Sequence, residues 1–213
     1  MANRAYGQYC GLARAAEMIG ERWSLLVLRD LLVEPKRFTD LQRGLPGIPS
    51  NVLTTRLKDL EQSGVVARRV LPRPSGAVVY ELTDYGRELE PVIVAMGRWG
   101  AKALGEPASD EVITTDSMVM ALRSTFRPES AGTLRAGYEL RLGDIVVHAS
   151  VQDRAVQAAA GPLPDADLSM EAGPGIRALM GGELTPAQAL QSGLVRVRGK
   201  RQLLNRFAEI FRI

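Results

Sequence analysis

Four polar side chains, Asn51, Thr54, Thr55 and Lys58, recur at three- and four-residue spacing in SNVLTTRLKDLEQSG, the spacing of one helix face. An amide there pairs a donor with an acceptor, as the adenine edge requires. An ammonium donates to guanine, and a hydroxyl serves several bases. Arg37, Arg68, Arg69 and Arg73 lie on either side of this face in sequence, and Arg56 lies within its span. Guanidinium groups hold phosphate through charge and paired hydrogen bonds. The combined chemistry is that of double-stranded DNA, with base edges met by the first group and phosphates by the second. Ser50 is expected to cap the helix, and Arg56, beside its apolar stripe, to reach a phosphate with its long stem.

Charge is concentrated in the same stretch. The chain has 213 residues and a net charge of +3. Residues 36–73 hold eight basic and three acidic groups, whereas residues 108–213 hold twelve of each. Such a patch attracts phosphate by a sequence-independent, salt-sensitive force. A charged patch alone is equally the signature of a solvated face, so the elements that carry it decide.

Those elements are short. Apolar spacing predicts helices near 11–19, 22–34, 38–44 and 50–63, punctuated by Pro35, Pro46-Gly47 and Gly64. Leu53, Leu57 and Leu60 form the core-facing stripe of the fourth helix. Two strands, 65–71 and 77–82, follow, joined by Pro72-Arg73-Pro74-Ser75-Gly76. Three small helices and a basic hairpin read as a winged helix-turn-helix, with Arg68, Arg69 and Arg73 on the wing. A further helix spans 84–103, started or kinked by Pro91. Residues 105–117 have a linker's composition, which sets the expected domains at 1–107 and 108–213.

The second half alternates with period two. Leu134, Ala136, Tyr138, Leu140 and Leu142 share one face, as do Ile145, Val147, Ala149 and Val151 after the Gly143-Asp144 turn. These predict a hairpin. Helices near 175–181 and 186–192, a strand at 194–199 and a helix at 200–211 complete an α+β domain with a largely antiparallel sheet.

Several chemistries are disfavoured. One cysteine, Cys10, and one histidine, His148, provide neither a disulfide framework nor a metal-ligand set, and form no nucleophile–base pair. Gly173-Pro174-Gly175 lacks the Lys-Ser/Thr of a phosphate loop. No enzyme activity, metal or cofactor is therefore expected. No apolar run reaches the roughly 18 residues of a membrane span, and the N-terminus lacks a signal-peptide core. A cytoplasmic protein with no membrane partner is the expectation. Cys10 reads first as a small buried hydrophobe, and His148 as a sheet-face residue opposite Val147.

Residues 10–100 resemble the HxlR family, a branch of the MarR-like winged-helix regulators. Cys10, IGERWSLLVLRDLL, RFTDLQRGLPGI, LTTRLKDLEQSGVVARR and YELTDYGRELEPVIVAMGRWG carry the resemblance. It implies a homodimer paired through its terminal helices, with one recognition helix per subunit in the major groove and the wing along the backbone. Pro49 stands where the family usually has Ser, with Ser50 next, so the helix start and its base contacts could shift by one residue. Some members use a cysteine in the region of Cys10 as a redox or electrophile sensor.

Residues 115–211 resemble a sterol carrier protein type 2 domain, through YELRLGDIVVHASV and GGELTPAQALQSGLVRVRGKRQLLNRFAEIF. That family's domain encloses an apolar cavity for lipid-like molecules. The candidate lining here is Tyr138, Leu140, Ile145, Val147, Ile176, Leu179, Met180, Leu190 and Phe207, with Met120 and Met170 as adaptable neighbours. Residue by residue, each is also ordinary core. Together the two resemblances imply a ligand-responsive repressor that binds a pseudo-palindromic operator as a dimer and senses an apolar small molecule. Two alternatives stay open: a lipid-like ligand carrier with vestigial DNA binding, and a redox-responsive regulator acting through Cys10.

Overall fold

Apolar periodicity broken by Pro and Gly makes the first part of the chain a run of short helices. The computed structural model describes residues 5–105, 107–173 and 175–213. The chain divides into two units, Met1–Ile93 and Val94–Ile213. The first begins with α1 (Gly11–Ile19), α2 (Ser24–Val33), α3 (Phe38–Gly44) and α4 (Ser50–Gln62). An antiparallel hairpin, β1 (Val66–Val70) and β2 (Val78–Leu82), and a short α5 (Asp84–Arg87) follow. Lys36 adds a bridge beside β2, exchanging both backbone hydrogen bonds with Tyr80. This is a winged helix-turn-helix.

Leu53, Leu57 and Leu60 of α4, Val27, Leu28 and Leu31 of α2, Leu41 of α3, and Val66 and Val79 of the hairpin are all buried and form the core of this unit. Burying each such side chain stabilises by about 1.5–3 kcal/mol. The turn between α3 and α4 passes through Gly47 at φ +83°, a conformation costly for any residue with a Cβ. α2 begins two residues later than the apolar pattern predicts, because Trp23 adopts φ +80°. The expected 84–103 helix is two helices, α5 and α6 (Glu90–Ala101), with Pro91 in the first turn of α6.

The boundary between units falls inside α6, ahead of residues 105–117. The last turns of α6 belong to the second unit for a clear reason. Arg98 donates from Nε to the Ser124 carbonyl (2.7 Å) and from Nη2 to the Phe126 carbonyl (3.1 Å). These carbonyls lie at the C-terminus of α7 (Thr115–Thr125), where backbone acceptors lack intrahelical partners. The start of α7 is fixed by a reciprocal cap between Thr114 and Ser117. α7 therefore begins inside the stretch whose composition reads as linker.

After α8 (Pro128–Ala131) come β3 (Ala136–Leu142), β4 (Ile145–Gln152), β5 (Ala155–Ala160) and β6 (Leu168–Ala172). α9 (Ile176–Gly181), α10 (Pro186–Gln191), β7 (Val195–Gly199) and α11 (Leu203–Ile210) complete the unit. The sheet order is β5-β4-β3-β6-β7. Only the β3–β6 pair is parallel, as the largely antiparallel expectation requires. The sequence does not announce β5 and β6: AVQAAA and LSMEA favour helix by composition, and cross-strand pairing overrides that preference. Leu134 lies before β3 rather than in it, and the terminal helix starts at Leu203 rather than 200.

One face of this sheet is apolar. Tyr138, Leu140, Val147, Ala149, Leu168 and Met170 are fully buried there. Tyr138 joins Phe207 (ring centroids 5.5 Å apart), Phe211 and Phe126 in an aromatic cluster. The other face is polar. Glu139 accepts from Leu163 N, Ser169 Oγ and Arg141 Nε, and so fastens the segment after β5. His148 sits on this face as expected, with Nδ1 3.0 Å from the Gly161 carbonyl oxygen.

Candidate nucleic-acid interface

α4 presents the expected face. Asn51, Thr54 and Lys58 are exposed and Thr55 is half-buried, opposite the leucine stripe. Ser50 is not the cap. Pro49 holds that position in extended conformation (φ −67°, ψ 142°), its carbonyl accepts the first helical bond from Leu53 N (3.0 Å), and Ser50 is the first helical residue. A proline ring offers no acceptor, so α4 starts without a side-chain cap. Both threonine hydroxyls turn back on the helix. Thr54 Oγ1 donates to the Ser50 carbonyl (2.8 Å) and Thr55 Oγ1 to the Asn51 carbonyl (2.9 Å).

The arginines divide into paired and free. Arg56 is turned away from solvent: its side chain is 14% exposed and its guanidinium sits 3.5 Å from Glu21 and 3.0 Å from Asp59. This corrects the expectation of a stem reaching out to phosphate, since two carboxylates already hold the group. Arg69 is likewise committed, through two 2.8 Å bonds to Glu81 across the hairpin. That pairing holds the Glu81 carboxyl below the usual carboxylate range and raises Arg69. Arg68 and Arg73 are exposed and make no ion pair among the described residues, and the same holds for Lys58. Arg37 is exposed, and its Nη2 lies 3.4 Å from Ser75 Oγ at the hairpin tip. Among the described residues Arg37, Lys58, Arg68 and Arg73 thus keep exposed cations outside any ion pair, on α4, just ahead of α3 and on the hairpin.

Cys10 is exposed, not buried. It occupies the cap position ahead of α1, and hydrogen bonds from the backbone of Ala13 and then Leu12 lower its thiol pKa. Orphan N–H groups at a helix start stabilise a thiolate in this way.

Of the residues named for an apolar cavity, Tyr138, Leu140, Val147, Ile176, Leu179, Met180 and Phe207 are buried, as are Met120 and Met170. Ile145 and Leu190 are half-buried. Ile145 opens β4 at the sheet margin, which leaves its side chain only partly covered. A groove of about 480 Å³ runs between α10 and α11. Leu190 lines it with Leu204, Pro186 and Ala187, and Gln191, Arg201, Gln202 and Asn205 give it a polar rim. Of the named residues only Leu190 touches this groove. The rest of its lining comes from α10, from Arg201 and Gln202 just ahead of α11, and from the first turn of α11, where the polar side chains look like solvated surface in sequence. Tyr138 stands apart from ordinary core: it is fully buried, and its Oη has no hydrogen-bond partner. Burial pushes its pKa up to about 12. Among the described residues no His, Cys, Asp and Glu cluster could hold a metal ion, and no helix is long and apolar enough to cross a membrane.

Residues 18–107 match the model of the HxlR-like helix-turn-helix family. An uncharacterised HTH-type transcriptional regulator of Synechocystis sp. is 36% identical over 104 residues, which make up 49% of this chain and 77% of that one. The chain belongs to the HxlR-like helix-turn-helix family. The HTH-type transcriptional regulator YodB of Bacillus subtilis is 39% identical over 85 residues, 40% of this chain and 76% of that protein. The solved structure of the redox regulator HypR in its oxidised form is 32% identical, covers 46% of this chain and 100% of that one, and gives a TM-score of 0.42. The family match takes in α2 through α6, and with them the α4 face and the hairpin cations. Cys10 and residues 108–213 lie outside it.

Proposed function

We propose that this protein is a transcription regulator that reads DNA through the exposed face of α4 and acts as a homodimer. The observation that carries the reading is that one helix-turn-helix family domain holds both that exposed polar face and four exposed cations, Arg37, Lys58, Arg68 and Arg73, that make no ion pair among the described residues. Asn51 supplies an adenine-type bidentate contact. Arg68 and Arg73 hold phosphate on the wing, setting affinity more than sequence choice. Arg56 and Arg69 shape the interface instead of contacting DNA.

Dimerisation is favoured by apolar surface that one chain leaves open. Val92, Met96 and Trp99 recur at helical spacing on α6 and are 46–77% exposed. α1 buries none of its residues, and Leu12 is 78% exposed. A stripe of this kind marks an association surface. A two-fold dimer places its recognition helices on half-sites about one turn, roughly 34 Å, apart. Footprinting on the protein's own upstream DNA tests this. Two protected half-sites at that spacing support the reading, and uniform or absent protection contradicts it.

A second reading concerns residues 108–213, taken as a sterol-carrier-like effector domain. The unpartnered Tyr138 Oη favours it, because leaving a buried polar group unsatisfied costs about 1–3 kcal/mol. An amphiphile that entered by the α10–α11 groove and reached Tyr138 would satisfy it and bias the two states of the dimer. Repression of nearby genes with release by this ligand is the regulation that follows. Deleting residues 108–213 should then abolish ligand response. A deletion variant with an unchanged response removes this second reading and leaves the first intact.

A further inference from the structure

The two threonines of α4 carry information beyond their being polar. Thr54 is exposed and Thr55 half-buried, on the face assigned to the groove. Each hydroxyl proton is already spent, on the Ser50 carbonyl at 2.8 Å and the Asn51 carbonyl at 2.9 Å. A threonine bonded back to the i−4 carbonyl has no donor left for a ligand. With Oγ1 bonded back onto the helix, the exposed Thr54 offers a ligand its Cγ2 methyl and only acceptor lone pairs on the oxygen.

The four base pairs respond differently to such a surface. Guanine shows two acceptors, N7 and O6, in the major groove and needs donors. A hydroxyl without an available proton offers none, so guanine opposite Thr54 leaves its acceptors unmatched. Thymine shows a C5 methyl, which packs against another methyl without any hydrogen bond. We infer that Thr54 reads thymine through methyl–methyl contact and rejects guanine. Thr55, half-buried on the same face, extends the apolar contact. The neighbouring Asn51 pairs with adenine N6 and N7, so the half-site facing the first turns of α4 is rich in A·T pairs.

This inference rests on the proposed DNA reading, and the experiment separates the two. Duplexes are selected from a randomised pool by the full-length wild type, Thr54→Val and Thr54→Ser. Each selected thymine is then replaced by deoxyuridine, which removes only the methyl. Loss of one buried methyl weakens wild-type binding about 4-fold. Thr54→Val keeps the methyl and loses the hydroxyl, so it retains the thymine preference and the deoxyuridine penalty. Thr54→Ser keeps a back-bonded hydroxyl and loses the methyl, so thymine and deoxyuridine bind it equally. Selected sites without thymine, or a preference that Thr54→Val abolishes and Thr54→Ser keeps, overturn this inference while leaving the DNA reading in place. A wild type that selects no sequence overturns both.

Discussion

The two units handle polar chemistry in opposite ways. In Met1–Ile93 the polar groups proposed to meet DNA stand in solvent on α4, whose other side is the buried stripe Leu53, Leu57 and Leu60. In Val94–Ile213 the outstanding polar atom, Tyr138 Oη, is inside the core, among Phe126, Phe207 and Phe211. The first arrangement lets binding residues change without disturbing the fold. The second ties any ligand role to packing. Substitutions at the α4 face should therefore move DNA affinity and spare stability, whereas substitutions around Tyr138 should couple the two.

The strongest test of that contrast is Phe207→Ala. Truncating a fully buried aromatic ring costs about 3–5 kcal/mol. Chemical denaturation should show this loss, against a change within about 0.5 kcal/mol for Lys58→Ala on the exposed face. Equal effects at the two sites would erase the contrast.

Within the first unit, the free and paired arginines should behave differently. Arg68→Ala and Arg73→Ala should each lower the slope of log affinity against log salt by about 1. Arg69→Ala should change the slope little, because its guanidinium is already neutralised by Glu81. A full loss of slope at Arg69 would show that the pair opens on DNA.

A smaller and more diagnostic effect is expected at Tyr138. Tyr138→Phe removes an unsatisfied hydroxyl from a buried site, so the ligand-free protein should be as stable as the wild type or more stable by about 1 kcal/mol. Thermal stabilisation by an added amphiphile should shrink in the same variant. A variant markedly less stable without ligand would mean that the hydroxyl is satisfied in solution.

The smallest effect concerns pH. The Lys200 ammonium, then the Gly137 N–H, hold the Asp167 carboxyl below its ordinary value of 3.8. A depressed carboxylate contributes stability that is present above the unfolded value and is lost as pH falls through the lower, folded one. The urea midpoint should therefore drop as pH falls below about 4, and Asp167→Asn should flatten that drop. An identical pH profile in the variant would remove Asp167 from the account.

Much of the first unit was legible in the sequence, because its signals are local. Leu53, Leu57 and Leu60 mark the core face of α4 by spacing alone, and the proline-rich turn marks the wing. What could not be read was which arginines are free. Arg56 has one local partner, Asp59 three residues on in α4, but its second, Glu21 from before α2, and the Glu81 partner of Arg69 across the hairpin are brought close only by the fold. Pro49 likewise took the cap position expected of Ser50, because it is the residue ahead of the first helical one that sets the boundary. Cys10 is exposed rather than buried because it sits at the cap position ahead of α1, before the half-buried part of that helix, and no local pattern marks that position. In the second unit the β3–β4 hairpin was legible by alternation. β5 and β6 were not, since AVQAAA and LSMEA carry no strand signal of their own and are made strands by their neighbours. Nor was α7, whose Thr114–Ser117 cap lies in a segment of linker composition.

The central claim is that the exposed face of α4 reads DNA. Fluorescence anisotropy tests it most directly, with full-length protein on its own upstream duplex and on a shuffled duplex across a salt series, compared with an Asn51→Ala/Thr55→Ala/Lys58→Ala variant. The expected result is selective wild-type binding that the triple variant loses while its fold is retained. Equal, steeply salt-dependent binding to both duplexes, unchanged in the variant, would contradict it.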